Sequence, residues 1–404
     1  MQTADPATTT GSGDAGAVPA AHTTFPCIDG LRALAALAVV LCHTAQYSSM
    51  NTTALGPYFM ELRSGVQVFF VISGFLLYRP FVTAHLAGRS GPEAAGYFRR
   101  RLLRIYPGYW VALTISVFVL DVATLSTLRS AIMNYALLQT YDVGHSVYAQ
   151  GLFVAWTLVV EITFYCLLPV YALVVGRLGR RARGPVEVGG GIVLVLVGVG
   201  SAAWVAYGDA PGWVAVLPAN LAPFALGMLL AVASAFLARP GHGLSRIDAL
   251  GRHPVLWWLV AGLAWSATVW WLDLRSVLTA GVGTTGNQIF GENMLRTVVG
   301  SAIVLPAVLG DQRRGAIRRT LRWRPLVFVG LVSYGIYLWH VPLITWMERQ
   351  AGRASADTNF LVLTAATITA AILVATVSWY VVEKPIVSLS RRRRLLGRRP
   401  GAGA

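Results

Sequence analysis

Two basic side chains, Arg32 and His43, stand eleven residues apart in the first apolar segment of the chain. Eleven residues of α-helix return to nearly the same face, and they rise roughly 16 Å at about 1.5 Å per residue. We therefore expect Arg32 at one membrane surface and His43 near the middle of a hydrocarbon core about 30 Å thick. An imidazole at that depth is costly, which favours a functional role such as accepting a proton near pH 7. A histidine that only bonds a neighbouring helix is the alternative.

A carboxylate, Glu161, interrupts a later apolar segment. This segment is predicted to enter the membrane from the opposite side near Gly151, which places Glu161 roughly 15 Å deep. That depth matches the depth expected for His43. We therefore predict that Glu161 orients His43 and stabilises its protonated form, the alternative being a structural pair that holds two helices together.

Arg101 and Arg104 lie three residues apart at the start of the third apolar segment, on one helix face. The arginine fork can bond two phosphate oxygens at once, so the pair fits a phosphate-bearing ligand. A signal that only sets membrane orientation is the alternative.

The segment 331–342 is unusually rich in hydroxyls and aromatic rings, and it contains Tyr334 and His340. We expect His340 to lie in the outer half of the membrane. It either binds an acceptor there or caps the helix before Pro342, and the residues alone do not decide between these roles.

The elements that must position these side chains are membrane helices. The 404 residues are 55% hydrophobic and only 12% charged, whereas soluble domains average about 25% charged residues. Repeated apolar runs of membrane-spanning length predict an all-α, polytopic membrane protein with about ten transmembrane helices. These spans are predicted near residues 28–47, 64–84, 104–122, 151–176, 190–207, 213–238, 255–272, 292–310, 325–347 and 360–383.

The net charge of +16 is distributed as a membrane topology signal and does not indicate a nucleic-acid partner. With ten spans, 26 of the 33 Lys and Arg residues fall on one side of the membrane. This asymmetry predicts that both termini face the cytoplasm, in a multi-pass protein of the plasma membrane.

The predicted domain organisation is simple. Residues 1–24 are predicted to form a disordered tail, 25–386 the membrane domain, and 387–404 a basic cytoplasmic tail. The longer outer loops, 122–150 and 273–291, could cover a site that opens to the outside. The three cysteines are far apart in the sequence, which indicates neither a disulfide nor a metal site.

Six motifs occur in one order along the chain. They are Asp29-Gly-Leu-Arg32 followed by His43, Phe69-Phe-Val-Ile-Ser-Gly-Phe75, Arg101-Leu-Leu-Arg104-Ile-Tyr-Pro107, Trp156-Thr-Leu-Val-Val-Glu161-Ile-Thr-Phe-Tyr165, Ser333-Tyr334 through His340-Val-Pro342, and Glu383-Lys-Pro385. Together they resemble the acyltransferase 3 family of integral membrane acyltransferases, over about residues 25–386. The resemblance implies a ten-helix core that moves an acyl group, often acetyl, from cytoplasmic acyl-coenzyme A. It implies as acceptor a hydroxyl of a cell-envelope carbohydrate, a lipid-linked sugar or a glycosylated metabolite.

The resemblance also implies that Arg32, His43 and the Arg101/Arg104 pair are needed for activity. We expect the phosphates of coenzyme A to dock on Arg101 and Arg104, with help from Arg32. We expect His43 to take the proton of the acceptor hydroxyl while Glu161 steadies the imidazolium.

Tyr334, His340 and Asp29 are assigned to substrate binding, and no metal is expected. A covalent relay through a hydroxyl such as that of Tyr334 is an alternative to direct transfer. A separate extracytoplasmic protein that passes the acyl group on is a further expected partner. The competing function class is a proton-coupled transporter of an envelope precursor, with His43 and Glu161 as its proton relay.

Overall fold

The computed structural model describes residues 25–142, 151–179, 182–208, 215–239, 246–271, 284–352 and 358–388. Over these residues the chain forms helices and no β-strand, which confirms the all-α prediction. The predicted tail 1–24, most of the tail 387–404 and parts of both outer loops lie outside the described residues.

The α-helices of the described residues are numbered here in chain order. They are α1 (Ile28–Gln46), α2 (Gly56–Glu61), α3 (Gly65–Leu86), α4 (Ala94–Phe118), α5 (Leu128–Tyr135), α6 (Trp156–Leu178), α7 (Arg183–Tyr207), α8 (Leu221–Leu237), α9 (Arg246–Leu250), α10 (Pro254–Trp270), α11 (Gly286–Val308), α12 (Ala316–Leu321), α13 (Arg324–Leu331), α14 (Ser333–Ala351) and α15 (Phe360–Ser378).

Each of the ten predicted spans overlaps one of the longer helices or the pair α13–α14. Within the described residues, six helical stretches are long and apolar enough to cross a membrane. The pair α13–α14 would be a seventh span, bent by 69° at its break. The chain is therefore a polytopic membrane protein, while the number of ten spans and the side of the termini stay predictions.

Exposed apolar side chains cover the peripheral helices. Leu196 and Trp204 on α7, and Leu263 and Trp270 on α10, are each at least 60% exposed. An apolar surface of this kind is stable against hydrocarbon and would be unfavourable in water. These faces therefore contact lipid, which agrees with a multi-pass protein of the plasma membrane.

Helix α1 is central in the bundle. It packs against α3, α11, α13, α14 and α15, and most of its side chains are buried. Its composition suits this position, because its many alanines are small and allow neighbouring helices to approach closely. Functional side chains on α1 are therefore held among several elements.

Helices α3 and α8 approach each other most closely at two glycines. A Cβ atom on Gly74 would lie 2.1 Å from the Phe224 carbonyl oxygen, and one on Gly227 would lie 2.1 Å from the Val71 carbonyl oxygen. No side chain fits at that separation, so both positions require glycine. Gly74 belongs to the quoted motif Phe69–Phe75, so part of this motif serves close helix packing.

Two irregularities shape the helices that follow α12. The bend at Val332 separates α13 from α14, and a π-helical turn over Trp379–Glu383 extends α15. A π-helical turn changes the angular position of every residue after it and often occurs at functional sites. Here it ends at Glu383, which is buried.

Candidate active site

A narrow cavity of about 100 Å³ runs between α1, α3, α4, α6 and α14. Along α3 it is lined from Val66 to Leu77, a distance of roughly 16 Å along the helix axis. We call this cavity the slot. Its shape suits an extended ligand arm better than a compact molecule.

The slot brings together four of the residues predicted to do chemistry. Arg32, Arg101, Arg104 and Glu161 all line it, although they come from three different helices. Three guanidinium groups around one cavity favour a ligand with several anionic oxygens. The sequence spacing placed Arg101 and Arg104 on one face of α4, and both side chains do reach the same cavity.

Glu161 is held by two hydroxyl groups. Ser73 Oγ donates to Glu161 Oε1 at 2.9 Å, and Tyr165 OH donates to the same oxygen at 2.7 Å. These bonds satisfy the carboxylate inside the bundle, where an unpartnered charge would be very costly. Glu161 is thus positioned toward the arginines of the slot.

The predicted contact between Glu161 and His43 is wrong. His43 pairs instead with His340, whose Nε2 lies 3.1 Å from His43 Nδ1. The depths estimated from the sequence do not decide which neighbour a side chain faces. Glu161 faces α3 and its own helix turn, whereas His43 faces α14.

Backbone hydrogen bonds assign the tautomers of the two histidines. His340 Nδ1 lies 3.1 Å from the Ile336 carbonyl oxygen and therefore carries a proton, which leaves its Nε2 as an acceptor. His43 Nδ1 lies 3.0 Å from the Val39 carbonyl oxygen, so its N–H is shared between that oxygen and His340 Nε2. His43 Nε2 then keeps its lone pair, as a general base requires.

His43 lies in the last turn of α1, toward Gln46. Arg32 lies one turn after the start of the helix at Ile28, so the two side chains lie toward opposite ends of α1. The depth of His43 in the membrane stays a prediction.

His340 does not cap a helix before Pro342. Helix α14 continues through Pro342 to Ala351, and His340 is fully buried within it. The capping alternative is therefore wrong, and the observed contact of His340 is with His43. A proline is tolerated inside a membrane helix when neighbouring groups satisfy the freed carbonyl.

Tyr337 connects the slot to the histidine pair. Its ring lines the slot and lies 5.7 Å from the ring of His340, centroid to centroid. Its hydroxyl lies 2.8 Å from Thr157 Oγ1 and donates to the Val154 carbonyl oxygen at 3.2 Å. The end of the slot farthest from the arginines is thus adjacent to the histidines.

The two remaining predicted substrate residues have different surroundings. Tyr334 lines the slot, and its hydroxyl donates to the Ile105 carbonyl oxygen at 2.6 Å. Asp29 is exposed in the first turn of α1 and does not line the slot. The structure therefore groups Tyr334 with the arginines and leaves Asp29 apart.

Glu383 lies beside the slot and belongs to the last quoted motif, but the sequence analysis gave it no role in the site. Its side chain is 4% exposed, and a Cβ on Gly108 would lie 3.4 Å from its Oε1 and 3.1 Å from Tyr334. Arg104 and Arg32 are the cationic groups that act on its carboxylate. The π-helical turn supplies this orientation, and no pattern in the sequence indicates such a turn.

Ser73, Tyr165, Thr157 and Tyr337 were also missed as site residues. Each lies within a motif that the sequence analysis quoted. For Thr157, Tyr165 and Tyr337 the signal was a hydroxyl group in an apolar segment, at helical spacing from a residue already chosen, whereas the helix of Ser73 holds no chosen residue. For example, Tyr165 follows Glu161 by four residues, which is the spacing of neighbours on one helix face.

Cys27 lies outside the slot, just before α1. Burial raises the pKa of the Cys27 thiol, and this keeps the thiol in its weakly nucleophilic neutral form. Over the described part of the chain, no group of three or more His, Cys, Asp or Glu side chains is placed to hold a metal ion.

Comparisons with known proteins agree with this geometry. The family model described as an acyltransferase domain matches residues 25–380. Nodulation protein 10 of Rhizobium leguminosarum bv. viciae is 27% identical, over 92% of this chain and 95% of that protein. Acyltransferase MdmB of Streptomyces mycarofaciens is 26% identical, over 93% of this chain and 95% of that protein. Peptidoglycan O-acetyltransferase OatA of Listeria monocytogenes serovar 1/2a is 25% identical, over 79% of this chain and 49% of that protein.

No solved structure matches the chain. The family match covers most of the chain and includes every residue that lines the slot, while Glu383 follows the matched residues. It identifies an enzyme, and it decides against the predicted alternative of a proton-coupled transporter. This protein belongs to the acyltransferase 3 family of integral membrane acyltransferases.

Proposed function

We propose that the protein moves an acyl group, most simply acetyl, from cytoplasmic acyl-coenzyme A to a hydroxyl group of a carbohydrate. The observation that carries this proposal is the slot, which has three arginines at one end and is adjacent to a histidine pair at the other. The arginines would hold the diphosphate of coenzyme A. The pantetheine arm would extend along α3 and bring the thioester toward Tyr337.

The proposed transfer is a direct displacement. The acceptor oxygen attacks the thioester carbonyl while His43 Nε2 takes the hydroxyl proton. A carbon–oxygen bond forms, the carbon–sulfur bond breaks, and coenzyme A leaves as its thiol after accepting a proton from His43. His340 accepts the hydrogen bond from His43 Nδ1 and so stabilises the imidazolium.

The hydroxyl of Tyr334 is not the preferred carrier of a covalent acyl intermediate. It already donates a short hydrogen bond to the Ile105 carbonyl oxygen, and a weakly acidic phenol needs a base to become nucleophilic. Direct transfer needs no such base beside Tyr334.

The name of one relative supports a carbohydrate acceptor. OatA of Listeria monocytogenes carries the name of a peptidoglycan O-acetyltransferase, and MdmB that of an acyltransferase. A hydroxyl of an envelope carbohydrate, a lipid-linked sugar or a glycosylated metabolite is therefore the proposed acceptor. A separate extracytoplasmic protein that receives the acyl group stays part of this proposal.

The proposal predicts that His43→Ala abolishes transfer. Removing a general base typically costs roughly 10²–10⁴ in rate. The measurement is incorporation of labelled acetyl from acetyl-coenzyme A into envelope and secreted material, in membranes that contain equal amounts of each variant.

His253→Ala is the matched control, because His253 is exposed and lies outside the slot. We expect it to keep the wild-type rate. Unchanged incorporation in His43→Ala membranes would remove His43 from the chemistry.

A further inference from the structure

A second, larger cavity lies beside the arginine end of the slot. Its volume is about 820 Å³, and it is lined by the last turns of α3 and by the loop that follows α3. Leu76 lines both this cavity and the slot, so the two are adjacent. We call this cavity the vestibule.

The described lining of the vestibule contains two arginines, Arg79 and Arg89, and no carboxylate. Arg79 is fixed at the wall, since its Nε donates to Ser234 Oγ at 3.2 Å and its guanidinium lies 4.9 Å from the ring centroid of Phe25. Phe25 also lines the vestibule. The cavity therefore offers cationic groups and an aromatic ring to one ligand.

We propose that the vestibule binds the 3′-phosphoadenosine part of the acyl donor. This inference rests on the proposed function, and it assigns different arginines to different phosphate groups of the donor. Arg32, Arg101 and Arg104 bind the diphosphate at the mouth of the slot, and Arg79 and Arg89 bind the 3′-phosphate outside it. From Arg79 to Val66 the α3 axis rises roughly 20 Å, and only a ligand with a long arm would occupy both cavities.

The continuity of the two cavities favours a nucleotide over the headgroup of an anionic lipid. The phosphate of a lipid headgroup would contact Arg79 and Arg89 in the vestibule and would not occupy the slot beyond Leu76. Coenzyme A has three phosphate groups at two places, and the arginines are likewise divided between the slot and the vestibule.

The test compares coenzyme A with 3′-dephospho-coenzyme A, which lacks only the 3′-phosphate. Equilibrium binding of each ligand is measured on the purified full chain, so no acceptor is needed. We expect the wild type to bind coenzyme A about tenfold more tightly, the effect of a charge-assisted hydrogen bond. Arg79→Gln and Arg89→Gln should each remove most of this preference and leave the affinity for 3′-dephospho-coenzyme A unchanged.

Arg177→Gln is the matched control, because Arg177 lines a neighbouring cleft and not the vestibule. It should keep the preference of the wild type. Unchanged binding of 3′-dephospho-coenzyme A also shows that each variant is folded.

Two results would overturn the vestibule assignment. The first is that the wild-type protein binds both ligands with equal affinity. The second is that both variants keep the preference for coenzyme A, or lose affinity for both ligands to the same extent. A wild type that binds neither ligand would instead contradict the proposed acyl donor, so the two failures are distinguishable.

Discussion

At the scale of single residues, Glu161 in the slot and His43 beside it are both held by neutral hydrogen-bond partners. Glu161 accepts two hydroxyl hydrogen bonds, and His43 donates to a backbone carbonyl and to His340. Such partners lower the cost of placing charge and polarity inside a membrane bundle. They also fix the direction of the reactive lone pair on His43, which a solvated imidazole would not do.

In the proposed mechanism His340 positions His43, and its replacement should therefore lower kcat with little change in KM for the acyl donor. In His340→Leu, His43 loses one hydrogen-bond acceptor, and we expect about a tenfold loss of kcat, the value of one hydrogen bond of about 1.4 kcal/mol. In His340→Gln, the amide oxygen can accept from His43 Nδ1 and should restore part of the rate.

Steady-state kinetics give kcat and KM for the acyl donor in the wild type and in both variants. Equal activity of the Leu and Gln variants would speak against an acceptor role for His340. A rise in KM alone would place His340 in donor binding, away from the histidine pair.

At the scale of helices, α3 is the wall shared by the slot and the vestibule. One face of α3 lines both cavities, and another face packs directly on α8 at Gly74 and Gly227. The contact with α8 thus holds the helix that forms this shared wall. Membrane helices use small residues for such contacts because lipid supplies no hydrophobic force between them.

Gly74→Ala should separate α3 from α8 and destabilise the bundle by about 1–3 kcal/mol, the usual cost of overpacking. The neighbour it would meet is a backbone carbonyl, which cannot swing aside as a flexible side chain can. The measurement is the midpoint of thermal unfolding in detergent, together with acetyl transfer.

Gly200→Ala is the control for helix propensity. A Cβ on Gly200 would have no atom within 4 Å, and alanine favours a helix over glycine by up to about 1 kcal/mol. We expect this variant to be as stable as the wild type or more so. If both variants behave alike, the close contact at Gly74 has no part in stability.

At the scale of the whole molecule, the basic loops and the histidine pair lie toward opposite ends of the bundle. The slot joins the arginine end to the histidine end along α3. A donor that enters from one side and an acceptor that enters from the other can then meet without either crossing the membrane. In the predicted orientation, with the basic loops in the cytoplasm, a cytoplasmic donor would enter at the arginine end of the slot.

The predicted orientation can be tested with single cysteines in a Cys166→Ser background, since Cys166 is an exposed thiol. Thr53 and Arg314 are both exposed, and they lie in connections at opposite ends of the bundle. A membrane-impermeant maleimide should label Thr53→Cys in intact cells and Arg314→Cys only after lysis. The reverse pattern would place the basic loops outside and contradict a cytoplasmic donor.

The sequence by itself determined the class of the fold and most residues of the site. Apolar length and charge asymmetry require membrane helices, and arginine pairs, a carboxylate and two histidines in apolar segments stand out because they are costly there. Spacing within one helix also placed Arg101 and Arg104 on a common face, since helical geometry is local.

Only the tertiary structure decided which of these residues meet. Depth in a membrane can be counted along one helix, but the direction of a side chain toward a neighbour depends on how the helices pack. His43 therefore pairs with His340 and not with Glu161, and the π-helical turn brings Glu383 against the slot. Contacts between helices depend on the packing of the whole bundle, and they cannot be predicted from the sequence of one helix at a time.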